Sequence, residues 1–281
     1  MSLRPTSDAR ESPRGSPRDL AGVHYWDRIW GAGARQRPVD PKAAGVRNHL
    51  RRTFHRFFVD VLGNGSGRNL MEVGCADSIW LPYFQRELGF AVAGVDYSEA
   101  GCAAARAKLK EQGTTAEICH ADMFAPPNAL LGRFDVVFSY GLVEHFANTA
   151  GAISALRAFC RPGGLVVTII PNMTLMMGWL QRHFNEEVYA LHVPLSLEQL
   201  VAAHRMAELN VERACPLLAV NFGVLVPTSP RDSRLKATVK RIAHRALLAS
   251  MVPVWALESK DVYVLPQTKS LSPYFAVVAR S

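Results

Sequence analysis

Asn69-Leu70-Met71-Glu72-Val73-Gly74-Cys75-Ala76-Asp77-Ser78 is an apolar strand that ends in an acid and runs straight into a tight turn of small residues. Glu72, Gly74, Ala76 and Ser78 hold the alternate positions of that turn. A strand entering a helix through small residues lets a ligand lie against bare backbone, and the helix N-terminus offers unpaired N–H groups to the ligand's polar end. These features predict a nucleotide-type pocket. A dinucleotide fingerprint asks for glycines where this chain has Gly74, Ala76 and Ile79, and Asp77 sets a carboxylate where a pyrophosphate would lie. The expected ligand is therefore not a dinucleotide.

The next segments repeat the pattern of a buried strand closing on an acid. Ala91 to Tyr97 reads as a second strand ending at Asp96, about twenty residues on, the distance at which an acid reaches a ribose diol in such folds. Ala116 to Met123 reads as a third strand with Asp122 at its end, and Phe134 to Gly141 as a fourth. The set Glu72-x-Gly74-x-Ala76-x-Ser78, Asp96, Ala121-Asp122-Met123, Phe134-Asp135-Val136-Val137 and Arg161-Pro162-Gly163-Gly164-Leu165 resembles the ordered motifs of class I S-adenosylmethionine-dependent methyltransferases. The resemblance covers residues 68–218 and the final strand.

Composition sets the outer bounds. With 281 residues, 49% of them apolar, the chain can bury one sizeable core, so a single α/β domain with additions at its ends is expected. Cys75, Cys102, Cys119, Cys160 and Cys215 are scattered without a Cys-x-x-Cys pair, which predicts neither a metal site nor a disulfide framework. No apolar leader segment follows the N-terminal arginines. The longest uncharged run, residues 246–257, contains Pro253 and is too short to span a bilayer, so a cytoplasmic protein is expected. The net charge of +8 gathers in the Ser/Pro-rich stretch of residues 1–20, at Arg47, Arg51, Arg52 and Arg56, and between Arg231 and Arg245. With no RNA-binding module beside them, these clusters read as solvated surface rather than a nucleic-acid site.

Residues 1–20 are expected to form a flexible tail, followed by an aromatic lead, His24-Tyr25-Trp26-Asp27-Arg28-Ile29-Trp30, and a helix from Pro41 to Leu62 with apolar positions every three or four residues. Residues 21–67 thus form a lead and helix, 68–218 a cofactor-binding core, 219–273 an insertion and 274–281 the last strand. Within the core, strands near 69–75, 91–96, 116–121, 134–140 and 165–171 alternate with helices near 78–88, 98–112, 147–160 and 195–209, and Val211–Leu218 reads as strand six. This order predicts a Rossmann-like, doubly wound α/β sheet of seven mostly parallel strands with helices on both faces. The resemblance implies that the last strand, Tyr274–Arg280, is antiparallel and lies beside strand five. Within the insertion, Leu235, Val239, Ile242, Ala246 and Leu247 form an apolar helical face that fits a lid, a homodimer contact or an interfacial membrane helix, with the lid preferred.

S-Adenosylmethionine joins a zwitterionic end, a sulfonium, a ribose diol and an adenine ring. By resemblance, Gly74, Cys75 and Ala76 lie along the methionine portion, Glu72 orders the turn, and Asp96 with Tyr97 faces the ribose. Asp122 accepts from the adenine amino group, Met123 packs on the ring, and Ser139 and Tyr140 are further cofactor-binding candidates. Tyr25, Trp26 and Trp30 resemble the aromatic lead that folds over the cofactor and shields the sulfonium. Ser139 to Phe146 leaves strand four where donor and acceptor meet, and it lacks an Asn/Asp-Pro-Pro-aromatic tetrapeptide, which argues against amino methylation of adenine or glutamine. His145 and His192 are the candidate general bases, His145 as a group with a near-neutral pKa. Met173, Met176, Met177, Trp179 and Phe184 are candidates to line the site of a small, partly apolar acceptor. The expected reaction is methyl transfer to oxygen, nitrogen or carbon. The alternatives are an RNA methyltransferase using the basic helices and an inert cofactor-binding regulatory or assembly protein.

Overall fold

Five short segments rich in Val, Ile, Ala and Phe carry no charge at their centres, as strands covered on both faces must be. In the computed structural model, which describes residues 19–31, 37–260 and 265–281, they lie side by side in one sheet. Its strands are β1 (Asn69–Val73), β2 (Ala91–Asp96), β3 (Glu117–His120), β4 (Phe134–Tyr140), β5 (Cys160–Pro171), β6 (Asn210–Leu217) and β7 (Tyr274–Arg280). The order is β3-β2-β1-β4-β5-β7-β6, with β7 antiparallel to both neighbours and Val167 opposite Val278. This is the expected Rossmann-like sheet. The strand order reverses between β1 and β4, where the two carboxyl ends diverge and leave a crevice.

Two helical layers cover the sheet. Helices α5 (Thr149–Phe159) and α8 (Leu197–Met206) close one face through Ile153, Leu156, Phe159 and Leu200. The other face is closed by α2 (His49–Leu62), α3 (Trp80–Leu88) and α4 (Glu99–Glu111), where Phe54, Phe58, Trp80, Tyr83, Phe84 and Phe138 interlock. Phe58 is fully buried and meets the rings of Phe54, Phe57, Trp80, Tyr83, Phe84 and Phe138 at 4.9–6.0 Å. Each such ring contributes on the order of 1.5–3 kcal/mol by burial.

The predicted helix from Pro41 begins later. Asp40 accepts from the backbone N–H of Lys42 and of Ala43, Gly45 turns the chain at φ 102°, and a short 3-10 turn at Val46–Asn48 precedes α2. Asn48 donates to the carbonyls of Asp40 and Ala43, so Asp40-Pro41 forms a turn rather than a helix start. Of the stretch read as a tail, residues 1–18 lie outside the described residues. Asp19 and Leu20 are fixed: Leu20 N–H donates to the His145 carbonyl, and Asp19 pairs with Phe146 in an antiparallel bridge. The lead that follows forms α1 (Val23–Gly31), which packs near α4.

The insertion holds α9 (Arg234–Glu258), a helix that contains Pro253. Its buried positions are Ala237, Met251, Trp255 and Glu258, whereas Leu235 (76%), Val239 (57%) and Ile242 (62%) are exposed, so the apolar stripe seen in the sequence faces outward over its first half and turns in at Leu247, which packs against a small core. Trp255 donates to the Val220 carbonyl, and with Met251 it packs on α6 (Leu175–Phe184) and on residues 218–225 in a third small core. Among the described residues no helix is long and apolar enough to cross a membrane.

Candidate functional site

The turn after β1 is held open by its own side chains. Gly74 sits at φ 77°, a left-handed conformation that favours glycine, and a methyl group there would lie 3.1 Å from the Leu142 side chain. The Ser78 hydroxyl donates to the buried Glu72 carboxylate and accepts from the N–H groups of Trp80 (2.9 Å) and Leu81 (3.1 Å), so it caps α3 and ties the turn to β1 at once. Burial pushes the Glu72 carboxyl up to about 8 against the opposing pull of the Ser78 hydrogen bond. Asp77, at φ 44°, forms a buried ion pair with Lys108 of α4 at 2.8 Å. The carboxylate that the sequence sets against a pyrophosphate therefore has a cation beside it, a partnership across the turn that no spacing rule reveals.

These residues wall a cavity of about 300 Å³ in the crevice between β1 and β4. Asp96, at the end of β2, accepts from the N–H of Ala76 (3.1 Å) and of Ser98 (2.8 Å). A carboxylate has about four acceptor positions, so capacity remains for a ligand. Burial raises its pKa, with the two backbone hydrogen bonds opposing. Asp122 accepts from Phe124 N–H (2.9 Å), and Met123 and Phe124 form an apolar wall beside it. Glu72, Gly74, Ala76, Tyr97 and Tyr140 also line the cavity. The roof is made by Asp19, which accepts from the Tyr97 hydroxyl, and by Trp26 and Trp30, stacked one helical turn apart on α1 with ring centroids 6.0 Å apart. Asp19 was invisible in the sequence because it stands at the end of a stretch that reads as a tail.

Three expected lining residues lie elsewhere. Cys75 points away, toward the position of Gly94 in β2. Ser139 is buried in β4 with no hydrogen-bond partner for its hydroxyl. Tyr25 packs edge-on against Trp26, which takes its place in the roof. Of the candidate acceptor lining, Met177 and Phe184 pack in the third core, Trp179 is 58% exposed, and none of the five lines this cavity. No described residue of 219–273 lines it either: α9 is anchored on Val220 and Phe222, and the helix that reaches the cavity is α1, through Trp26 and Trp30.

Beyond Gly141 and Leu142 the chain makes a 3-10 turn, Val143–His145, that brings the two candidate bases together. The rings of His145 and His192 lie 4.5 Å apart, and Trp26 packs edge-on against His145 at 5.0 Å. His145 Nδ1 bonds the Leu191 carbonyl and His192 Nδ1 the Val188 carbonyl, both at 2.7 Å. A carbonyl only accepts, so each Nδ1 carries the proton and each Nε2 presents a lone pair. Burial holds both imidazoles down at about 4, which for His145 replaces the near-neutral value expected, and for His192 the neighbouring His145 adds to the effect. Glu144 is 1% exposed, neither of its oxygens has a hydrogen-bond partner, and burial pushes its carboxyl up to about 8.

A profile of the methyltransferase domain family matches residues 43–208, more than half of the chain. Curated relatives include ubiquinone biosynthesis O-methyltransferases of Azotobacter vinelandii (33% identical, 36% of this chain, 43% of that protein) and of Pectobacterium atrosepticum (27%, 51% and 58%). That of Methylobacterium sp. is 27% identical over 63% of this chain and 74% of its own. The chain thus spans about half the length of the first two. Among solved structures the fold is similar to the [4+2]-cyclase SpnF (TM-score 0.59, 18% identity, 95% of this chain and 97% of that one). It is also similar to geranyl diphosphate C-methyltransferase of Streptomyces coelicolor A3(2), solved with Mg2+, geranyl diphosphate and S-adenosyl-L-homocysteine (0.57, 16%, 92% and 96%). At these identities the likeness is one of fold. With the domain profile, the sheet order and the acid-tipped strands in agreement, the chain belongs to the methyltransferase domain family, of the class I S-adenosylmethionine-dependent type.

Proposed function

We propose that the protein transfers the methyl group of S-adenosylmethionine to an oxygen of a small, partly apolar acceptor and releases S-adenosylhomocysteine. The observation that carries this proposal is the juxtaposition of the acid-walled cavity with Glu144, His145 and His192 just beyond Leu142. The cavity residues suit the cofactor. Gly74 and Ala76 give backbone access, Asp96 faces a diol with acceptor capacity left, Asp122 and Met123 offer an acceptor and an apolar wall for adenine, and Trp26 and Trp30 shield a sulfonium from water. When bound, the cofactor supplies an electrophilic methyl group, so the protein's work is to align donor and acceptor and to draw the proton from the attacking oxygen. In this reading His145 and His192 serve that step through their Nε2 lone pairs, which the Nδ1 hydrogen bonds leave free.

The O-methyltransferase names of the curated relatives favour oxygen over nitrogen or carbon. The basic clusters do not favour RNA. Lys236 and Lys240 pair with Asp232, Arg231 pairs with Glu187, and Arg52 donates to the carbonyls of Ala43 and Gly45 and to Ser259, so much of the cationic surface is already engaged.

The test is incubation with methyl-labelled S-adenosylmethionine and a panel of hydroxylated aromatic and polyprenylated acceptors, with amines and transfer RNA as comparisons. Label in an O-methyl product is expected. Label confined to amines or RNA would overturn the proposal, as would calorimetric binding of S-adenosylhomocysteine with no turnover on any acceptor.

A further inference from the structure

We propose that Glu144, His145 and His192 form a binding site for a divalent first-row transition-metal ion beside the cofactor cavity, which puts an open-sided metal centre where the acceptor meets the donor. Their ligand atoms lie within 4.8 Å of one another. The imidazoles are prepared as ligands: each Nδ1–H is spent on a backbone carbonyl, which fixes the ring and leaves Nε2 bare, the outer-partner arrangement that orients metal-bound histidines. The carboxylate gives an independent sign. Glu144 is buried with both oxygens lacking a hydrogen bond, and His145 Nε2 stands 3.9 Å from Oε1, too far for one. A buried carboxyl with neither a hydrogen-bond partner nor a cation is costly. A cation seated among the three residues would supply that missing partner and use both imidazole lone pairs.

The donor set selects the ion. Two imidazoles and one carboxylate suit Fe2+, Co2+, Ni2+ or Zn2+, whereas Mg2+ and Ca2+ prefer oxygen shells. Bonds of about 2.0–2.2 Å require the donors to draw closer than they stand here. His192, just past the five-residue α7 (Glu186–Ala190), is the one of the three that is only partly buried. Three protein ligands leave coordination positions open. Gly141 connects the site to the cavity: it lines the cavity, and a methyl group built on it would lie 3.6 Å from Glu144 Oε1. If the proposed reaction holds, the imidazoles would act through the ion rather than as free bases: the ion would bind the acceptor hydroxyl and favour its ionised form, the proton passing to solvent, a role that rests on that proposal although metal binding itself does not.

The experiment is titration of the chelator-treated full chain with Co2+, followed by visible absorption. The expected result is one ion per chain with the bands of nitrogen and oxygen coordination, no thiolate charge transfer from the five cysteines, displacement by Zn2+ and none by Mg2+ at the same concentration. Glu144→Gln and His192→Ala should each weaken binding by about 100-fold or more, while His183→Ala, an exposed histidine on α6, should not change it. Absence of such bands in the wild type at millimolar Co2+, or equal uptake by the Glu144→Gln and His192→Ala variants, would overturn the site without recourse to activity. Calorimetry with S-adenosylhomocysteine in chelator separates the two proposals. Retained cofactor binding with lost turnover is expected. Full O-methyl transfer in chelator would overturn the metal centre and leave the methyltransferase assignment standing.

Discussion

At the carboxyl ends of β1 and β2 the polar side chains are tied down: Asp96 to two backbone N–H groups, Ser78 to Glu72 and to the start of α3, Asp77 to Lys108. Across the molecule, α9 turns Leu235, Val239 and Ile242 outward and touches the body through a small core around Met251 and Trp255. The first region is a frame that holds a ligand site fixed without the ligand. The second is an attachment whose outer face is free to vary. Stability and cofactor affinity should therefore depend on the frame, and little of either on the outer face of α9.

The sharpest contrast is in the core. Phe58→Ala removes a fully buried ring that meets six other aromatic side chains, and a loss of about 3–5 kcal/mol in unfolding free energy is expected from denaturant titration. A loss below about 1 kcal/mol would mean that the aromatic layer is looser than its contacts imply.

A second probe of the frame is pH. His204 of α8 is fully buried between the Leu200 carbonyl (2.8 Å) and the Thr168 hydroxyl (3.0 Å), and burial holds it down at about 4. Unfolded, it titrates at the ordinary value near 6.5. Its neutral form is thus the native one: its share of stability is fully present above pH 6.5 and drains away as pH falls toward 4, by about 3 kcal/mol at most. His204→Gln should flatten the stability profile over that window by about one proton's worth; an unchanged slope would remove His204 from the acid sensitivity.

For affinity, Asp96→Ala should weaken S-adenosylhomocysteine binding by about 100-fold in calorimetry, because a charged acceptor and the brace on Ala76 N–H are lost together. Trp26→Ala should lower kcat/KM by about 10-fold, with a smaller effect from Tyr25→Ala, which does not reach the cavity. Equal effects of the two would argue against a roof built from Trp26. The smallest effect is expected from Ile242→Glu on the exposed face of α9: a change in stability within about 0.5 kcal/mol and unaltered cofactor affinity. A large loss would place that face in a contact.

The same contrast explains what the sequence disclosed. The frame was legible because its signals are local: uncharged β-branched runs, small residues after Glu72, and acids where strands stop. What the sequence hid depends on residues far apart in the chain. His145 and His192 meet because the connection after β5 returns past the 3-10 turn at Val143–His145, with Val193 N–H donating to the Glu144 carbonyl. Asp19 enters the roof through Tyr97, and Lys108 reaches Asp77 from another helix. On α9 the apolar stripe was visible, but a helix with two apolar stripes does not announce which one is buried; Met251 and Trp255 won because residues 218–225 offered them a core. Asp40-Pro41 carried a helix-start signal that Asn48 diverts into a turn.

The central claim is methyl transfer to oxygen from a cofactor held by the β1–β4 crevice. Its most direct test is a single-turnover reaction with methyl-labelled S-adenosylmethionine and a hydroxylated aromatic acceptor, run on the wild type and on Asp96→Ala and analysed by mass spectrometry. The account predicts one O-methyl group gained per S-adenosylhomocysteine formed, with the variant needing far more cofactor to reach the same yield. Product at the wild-type cofactor requirement in Asp96→Ala, or S-adenosylhomocysteine formed with no methylated acceptor, would contradict it.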